Sequence, residues 1–199
     1  MTDIGVEKQV TALFADLVDF AAINENTPPT VVVRILNDYF ERMSQVITSC
    51  RGLVSTFIGD GILALFGSTV PNPWQDDDAV HAALGMLRAL TAYNEELTAD
   101  GLPGLTLRIG LEHGKGVAGL VGGQQLKEFT FVEGTENVAA RVQDLTGVHS
   151  ADIIVTQTLR DSLDPRFRLR ALPDATVEGI EKPMAIYAVE GFDKDESGS

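Results

Sequence analysis

The chain has 199 residues, 44% of them hydrophobic and 22% charged, with a formal net charge of −14. That length and composition fit one soluble domain with an ordinary core. The acidity repels phosphodiester backbones and anionic lipid, which argues against nucleic acid and membrane surfaces as partners.

No stretch approaches the roughly 18 to 20 apolar residues that span a bilayer, and Met1-Thr2-Asp3-Ile4-Gly5 has no basic region followed by an apolar one. Cys50 is the single cysteine, so no internal disulfide forms and a cytoplasmic setting is expected. The same negative charge would repel a nucleoside triphosphate unless divalent cations and a few basic residues reverse the local field.

In chain order, residues 8–18 alternate as a strand, with Val10, Ala12, Phe14 and Asp16 on one face. From Pro28-Pro29-Thr30 to Cys50 the apolar residues recur at helical spacing, with Thr30 placed to cap. Residues 52–67 read as two short strands joined at Gly59-Asp60-Gly61, a hairpin signal. A second long helix is expected over 75–97, and a strand pair over 104–112 and 115–121 around His113-Gly114. A helix over 135–145, a strand at 153–155, a short helix over 156–163 and closing strands at 166–172 and 184–190 follow. The order is β-α-β-β-α-β with additions: an α+β, ferredoxin-like βαββαβ core carrying further strands and helices. An antiparallel-rich sheet with its helices on one face is expected. Residues 1–192 form one domain in this reading, and 193–199 a disordered tail.

Three patterns bear on chemistry. Leu13-Phe14-Ala15-Asp16-Leu17-Val18-Asp19-Phe20 ends a strand in an acid followed by an apolar turn. Such a carboxylate can hold a hard divalent cation, and the N–H groups after it can face phosphates; a cap or turn role explains a lone strand-end Asp equally well. Phe57-Ile58-Gly59-Asp60-Gly61 puts a second carboxylate at a hairpin tip, where Asp-Gly also suits a type I′ turn. In Thr135-Glu136-Asn137-Val138-Ala139-Ala140-Arg141, Asn137 and Arg141 share a helix face. They can serve a ribose and a phosphate together, or only face solvent. His113 reads as a packing or hydrogen-bonding residue.

Taken in order, FADLVDF, FIGDG, RIGLEHGKGVAG and NVAAR resemble the catalytic domain of the class III adenylyl and guanylyl cyclases over about residues 8–190. The resemblance implies that Asp16 and Asp60 hold two divalent metal ions, magnesium or manganese. It implies that Asn137 orients the ribose and Arg141 stabilises the transition state. Lys115 falls where the family places a basic residue near the β- and γ-phosphates, and Phe20 closes the turn counted with the substrate site. The implied enzyme is an adenylate cyclase working as a homodimer, with the aspartates of one chain meeting Asn137 and Arg141 of the other around ATP. GTP remains open as an alternative substrate.

The match has departures. Thr56 stands where adenylyl cyclases carry a base-reading lysine and guanylyl cyclases a glutamate. Thr130, seven residues before Asn137, resembles many bacterial adenylyl cyclases and favours ATP. Glu133-Gly134 reverses a common Gly-Asp order. Glu178 and Ile180 occupy a segment where the family often has Lys-Gly-Lys, with Lys182 nearby. These changes leave room for relaxed base choice, or for a weak or inactive cyclase-like module. Nothing resembles the hairpin of GGDEF-type diguanylate cyclases.

Overall fold

A computed structural model of the chain describes residues 6–122, 127–132, 134–176 and 183–193. Its first strand, β1 (Val6–Leu17), is followed by α1 (Phe20–Asn26), α2 (Pro29–Ser49), β2 (Leu53–Ile58), β3 (Gly61–Phe66) and α3 (Gln75–Ala99). Then come β4 (Leu107–Gly122), β5 (Lys127–Val132), α4 (Thr135–His149), β6 (Ile153–Thr156), α5 (Gln157–Arg160), β7 (Phe167–Ala171) and β8 (Ile186–Phe192). The strands make one sheet in the order β2-β3-β1-β4-β6-β8-β7, and β5 pairs with β4 off that path. All pairings are antiparallel except β4 with β6.

β1 is central and apolar on both sides, so it is covered on both sides. Leu13, Ala15 and Leu17 join α2 and α3 in the main core. Val10 and Ala12, pointing the other way, pack with Ala139 of α4. The expectation of helices on one face therefore holds for α2 and α3 and fails for α4. The physical reason lies in the strand's middle: one buried face would alternate with polar residues, whereas Ala12 to Ala15 run apolar without a break.

Three local readings are corrected. α2 begins with Pro29 at its first turn and Pro28 as N-cap, which puts Thr30 inside the helix; proline suits that first position because its missing N–H has no intrahelical partner there. No turn forms at His113-Gly114, because β4 runs unbroken through both. Those glycines answer to helix packing instead. A Cβ at Gly110 would lie 2.2 Å from the carbonyl oxygen of Ala139, and one at Gly114 would lie 2.6 Å from Oγ1 of Thr135. Only bare backbone lets α4 come this close to the sheet. Finally, β5 is a separate strand that the sequence reading did not separate from its surroundings.

The acidic first turn of α3 is anchored on three sides. Arg51 grips Asp78 through Nε at 2.8 Å and Nη2 at 2.5 Å. Asp77 accepts the backbone N–H of Asp164 at 2.9 Å. Asp76 accepts from Thr11 and lies 2.7 Å from His113 Nδ1, which is the packing role expected of that histidine. Its bond to Asp76 holds the imidazole pKa above the usual value. Carboxylates at a helix N-terminus also complement the helix dipole. At the other end of the chain, Asp193 is tied in by its N–H to the Arg166 carbonyl at 3.0 Å and by Arg168 at 2.5 Å; residues 194–199 lie outside the described residues.

Candidate active site

The two aspartates come together at one end of β1. Asp16 is half-buried and stands opposite Arg108 of β4. Asp60 sits with Gly59 in the two-residue loop between the paired Ile58 and Gly61. Of the two loop residues, Gly59 alone has a positive φ, 63°. That matches a glycine-first loop of the II′ kind rather than the Asp-Gly type I′ turn the sequence suggested. Gly61 has a different task. A Cβ there would come within 3.1 Å of both Asp16 Oδ1 and Phe14 Cζ, so its bareness lets the Asp16 carboxylate lie against the hairpin that presents Asp60.

This contact has an electrostatic signature. Burial, then the charge of Asp60, push the Asp16 carboxyl up to about 6, with Asp144 adding in the same direction and the Leu17 N–H opposing it. Two crowded, partly desolvated carboxylates suit a hard divalent cation. Among the described residues there is no group of three metal-type side chains. A pair of carboxylates is nonetheless what magnesium-like ions use when substrate phosphates and water complete the shell. The residues present fit the cations that the sequence implied, and Asp16 and Asp60 are the side chains that would hold them.

Asn137 and Arg141 lie on α4, exposed and half-buried respectively. The helix runs antiparallel along β4. Thr135 meets Gly114 and donates to the Lys115 carbonyl at 2.6 Å, Ala139 and Gln143 meet Gly110, and Gly147 meets Arg108. Since Arg108 stands opposite Asp16, the C-terminal end of α4 is level with the carboxylates. Asn137 is ten residues earlier, about 15 Å back along the helix axis, and Arg141 about 9 Å back. The charges acting on Asp16 are those of Asp60 and Asp144, both negative. One chain thus brings the carboxylates to one end of the β1–β4–α4 unit and the Asn137 end of α4 to the other.

The remaining candidates are spread out. Phe20 is buried at the start of α1, directly after the Asp16 turn. Thr56 is half-buried in the edge strand β2, beside the irregularity between Val54 and Thr56. Lys115 is exposed and pairs with Glu7 at 2.7 Å, a surface contact that is cheap to exchange. The backbone of Thr130 stands opposite Gly119, about 35 Å along β4 from Arg108 at the usual rise per residue. Glu133, Glu178, Ile180 and Lys182 lie outside the described residues. A cavity of about 540 Å³ opens near the start of β1, lined by Lys8, Gln9, Gln75, Asp76 and His113, away from the carboxylate pair.

Sequence reasoning missed Asp144, whose charge reaches Asp16, and Tyr39, which feels both Asp16 and Asp60. Asp144 had a signal, since it follows Arg141 by about one turn; Tyr39 reads only as one of the apolar stripe of α2.

A crowded carboxylate pair at a strand end and hairpin, on an α+β sheet, is an arrangement suited to metal-dependent chemistry on phosphates. Residues 4–191 match the adenylate and guanylate cyclase catalytic domain family, and the chain belongs to that family, the class III cyclases. It is 29% identical over 184 residues to adenylate cyclase 1 of Rhizobium meliloti, covering 92% of this chain and 28% of that protein. It is 32% identical over 191 residues to an adenylate cyclase of Anabaena cylindrica, covering 92% and 37%. The chain therefore spans about a third of the length of these relatives. Among solved structures it superposes on the guanylyl cyclase Cya2 with a TM-score of 0.89, 28% identity and 97% of each chain covered. The adenylyl cyclase CyaB of P. aeruginosa gives the same TM-score at 21% identity, covering 96% and 98%, a likeness of fold. Among the described residues no helix is long and apolar enough to cross a membrane.

Proposed function

We propose that this chain is an adenylate cyclase domain that converts ATP to 3′,5′-cyclic AMP and pyrophosphate, with two divalent cations, at sites shared between two copies. The observation that carries this reading is the division of the site. Asp16 lies against the hairpin of Asp60, while the Asn137 end of the same chain's α4 lies level with Gly114, remote from Arg108 and Asp16. In a two-fold dimer such halves complement one another, carboxylates of one copy facing Asn137 and Arg141 of the next.

In the reaction the ribose O3′ gives up its proton to water and forms a bond to the α-phosphorus as the bond from that phosphorus to the bridging oxygen breaks, and pyrophosphate leaves with the electron pair. When bound, the cations lower the pKa of the 3′-hydroxyl and neutralise the leaving group. Asp16 and Asp60 hold them. Asn137 orients the ribose, and the Arg141 guanidinium meets charge that grows on the α-phosphate in the transition state. Lys115, once exchanged from Glu7, offers a cation to the outer phosphates. None of these roles needs a protein nucleophile, and Cys50 takes no part.

The names of the Rhizobium and Anabaena relatives and the residue at Thr130 support ATP. Thr56, uncharged where base-reading residues stand in the family, supports a second reading with relaxed base choice. Purified protein with Mn²⁺ and either triphosphate separates them. Cyclic AMP from ATP in clear excess is expected, whereas cyclic GMP from GTP with no cyclic AMP overturns the base assignment. Absence of either product leaves only a binding or dimerisation module.

A further inference from the structure

Side chains alternate along a strand, so Gly110, Glu112 and Gly114 of β4 share one face. α4 covers that face. A Cβ on Gly110 would meet the Ala139 carbonyl and the Gln143 nitrogen, and one on Gly114 would meet the Thr135 hydroxyl. Ala12, which stands opposite Glu112 on β1, packs with Ala139. Glu112 therefore lies between the two points where α4 presses on bare strand. It sits beneath the stretch from Thr135 to Gln143, which carries Asn137 and Arg141.

The side chain is buried there. One carboxyl oxygen accepts from the Thr156 hydroxyl, and Oε2 has no partner among the described residues. Nothing ionisable meets it on this face. α4 brings Thr135, Ala139 and Gln143, and the Thr135 hydroxyl is engaged with the Lys115 carbonyl. β1 brings Val10 and Ala12, β6 brings Ile154 and Thr156, and β8 brings Ile186. Lys8 of β1 is held by the Ser68 carbonyl at 2.6 Å, and Lys115 by Glu7. The charged residues of this part of α4, Glu136 and Arg141, are partly exposed. The charges that reach Glu112 are those of His113 and Asp76, a bonded pair on the other face of β4. A neutral carboxyl tolerates such an enclosure far better than a charged one. Burial accordingly pushes its pKa up to about 7.

We infer that Glu112 is a positioning residue for α4: with a proton on its carboxyl the helix lies flush on β4, and without it the helix moves outward and takes Asn137 and Arg141 from their working positions. This rests on the reading of Asn137 and Arg141 as acting groups. An ionised Oε2 must draw in water or another donor. Its flanking strands, β1 and β6, are locked to β4 by main-chain pairing, so the helix is the cover that yields. A shift of about 1 Å in such groups is enough to slow an alignment-dependent reaction about a hundredfold.

The test compares wild type with Glu112→Gln, which keeps the shape and cannot ionise, at pH 6 and pH 8. Two quantities are read: turnover of ATP with Mn²⁺, and amide hydrogen exchange over residues 135–143, corrected for the intrinsic pH dependence of exchange. With a midpoint of about 7, wild-type turnover is expected to fall about tenfold relative to Glu112→Gln between the two pH values. Exchange over α4 is expected to quicken in wild type alone. Thr156→Val, which removes the donor to the carboxylate, is expected to carry the wild-type midpoint to higher pH, and an unmoved midpoint counts against the inference. Parallel turnover profiles for wild type and Glu112→Gln overturn it, whether or not α4 exchange responds, because a merely structural glutamate would change melting without moving the profile. Exchange that quickens in wild type alone, with no product from either protein at either pH, overturns the cyclase reading while supporting the control of α4 by Glu112.

Discussion

Two carboxyl groups of this chain sit where their charge is unwelcome, and they differ in what relieves it. Asp16 has Asp60 beside it and, in the proposed reading, a cation to share. Glu112, on β4, is buried, accepts from the Thr156 hydroxyl, and has a second oxygen without a partner among the described residues. Burial pushes it up to about 7, against the downward pull of Thr156 and His113. A carboxyl raised above its ordinary value favours the folded state most fully when protonated. Its contribution is complete below about pH 4.5 and is lost as pH rises through about 7. The metal-free protein is therefore expected to melt lower at pH 8 than at pH 6, with Glu112→Gln removing a part on the order of 1 kcal/mol of that fall. Melting curves across that range check it, and parallel slopes for the two proteins contradict it. In the proposed mechanism Arg141 belongs to a different class, because its partner would exist only while the α-phosphate gains charge. Arg141→Ala is expected to lower kcat on the order of 10²-fold or more with KM for ATP little changed. An equal rise in KM at constant kcat would instead assign it to ground-state binding.

At the scale of elements, α4 is the piece whose position matters most, and backbone alone sets it. Gly110 faces the Ala139 carbonyl and the Gln143 N–H at 2.2 and 2.4 Å from where a Cβ would be. Both obstacles are main chain, so a side chain cannot be accommodated by rotating a neighbour. Gly110→Ala is expected to lift α4 off the sheet, destabilising the fold by about 3 kcal/mol and depressing turnover. Thermal unfolding checks the first part and product formation the second. Here the limits of reading the sequence are plain. The period of α2 and the hairpin at Gly59-Asp60 are legible, since each is carried by local pattern, and motif alone supplies the roles proposed for Asp16, Asp60, Asn137 and Arg141. The glycines of RIGLEHGKG suggest a turn because local pattern cannot show that a helix 25 residues later presses on them. For the same reason the side of the sheet that α4 covers is not legible, because an apolar helix stripe does not say which face of a strand it will meet.

For the whole molecule the proposed assembly makes a sharp demand. Neither Asp60→Ala nor Arg141→Ala alone should form cyclic AMP at a useful rate. Mixed and re-equilibrated, the two should recover about one quarter of the wild-type sites, since half the dimers are mixed and each regains one. No recovery, with exchange of subunits shown by size or label, would mean that each chain carries a site of its own. A further consequence comes from α4 lying flush on β4 from Thr135 at Gly114 to Gly147 at Arg108. A stiff bar with one half-site near each end works as a lever. In a pair of such bars related by two-fold symmetry, turning one against the other by a few degrees shifts the facing groups by about 1 Å at both ends at once, enough to slow a reaction that depends on alignment by about a hundredfold. Rate control would then need no rearrangement inside either copy, only a small twist between them.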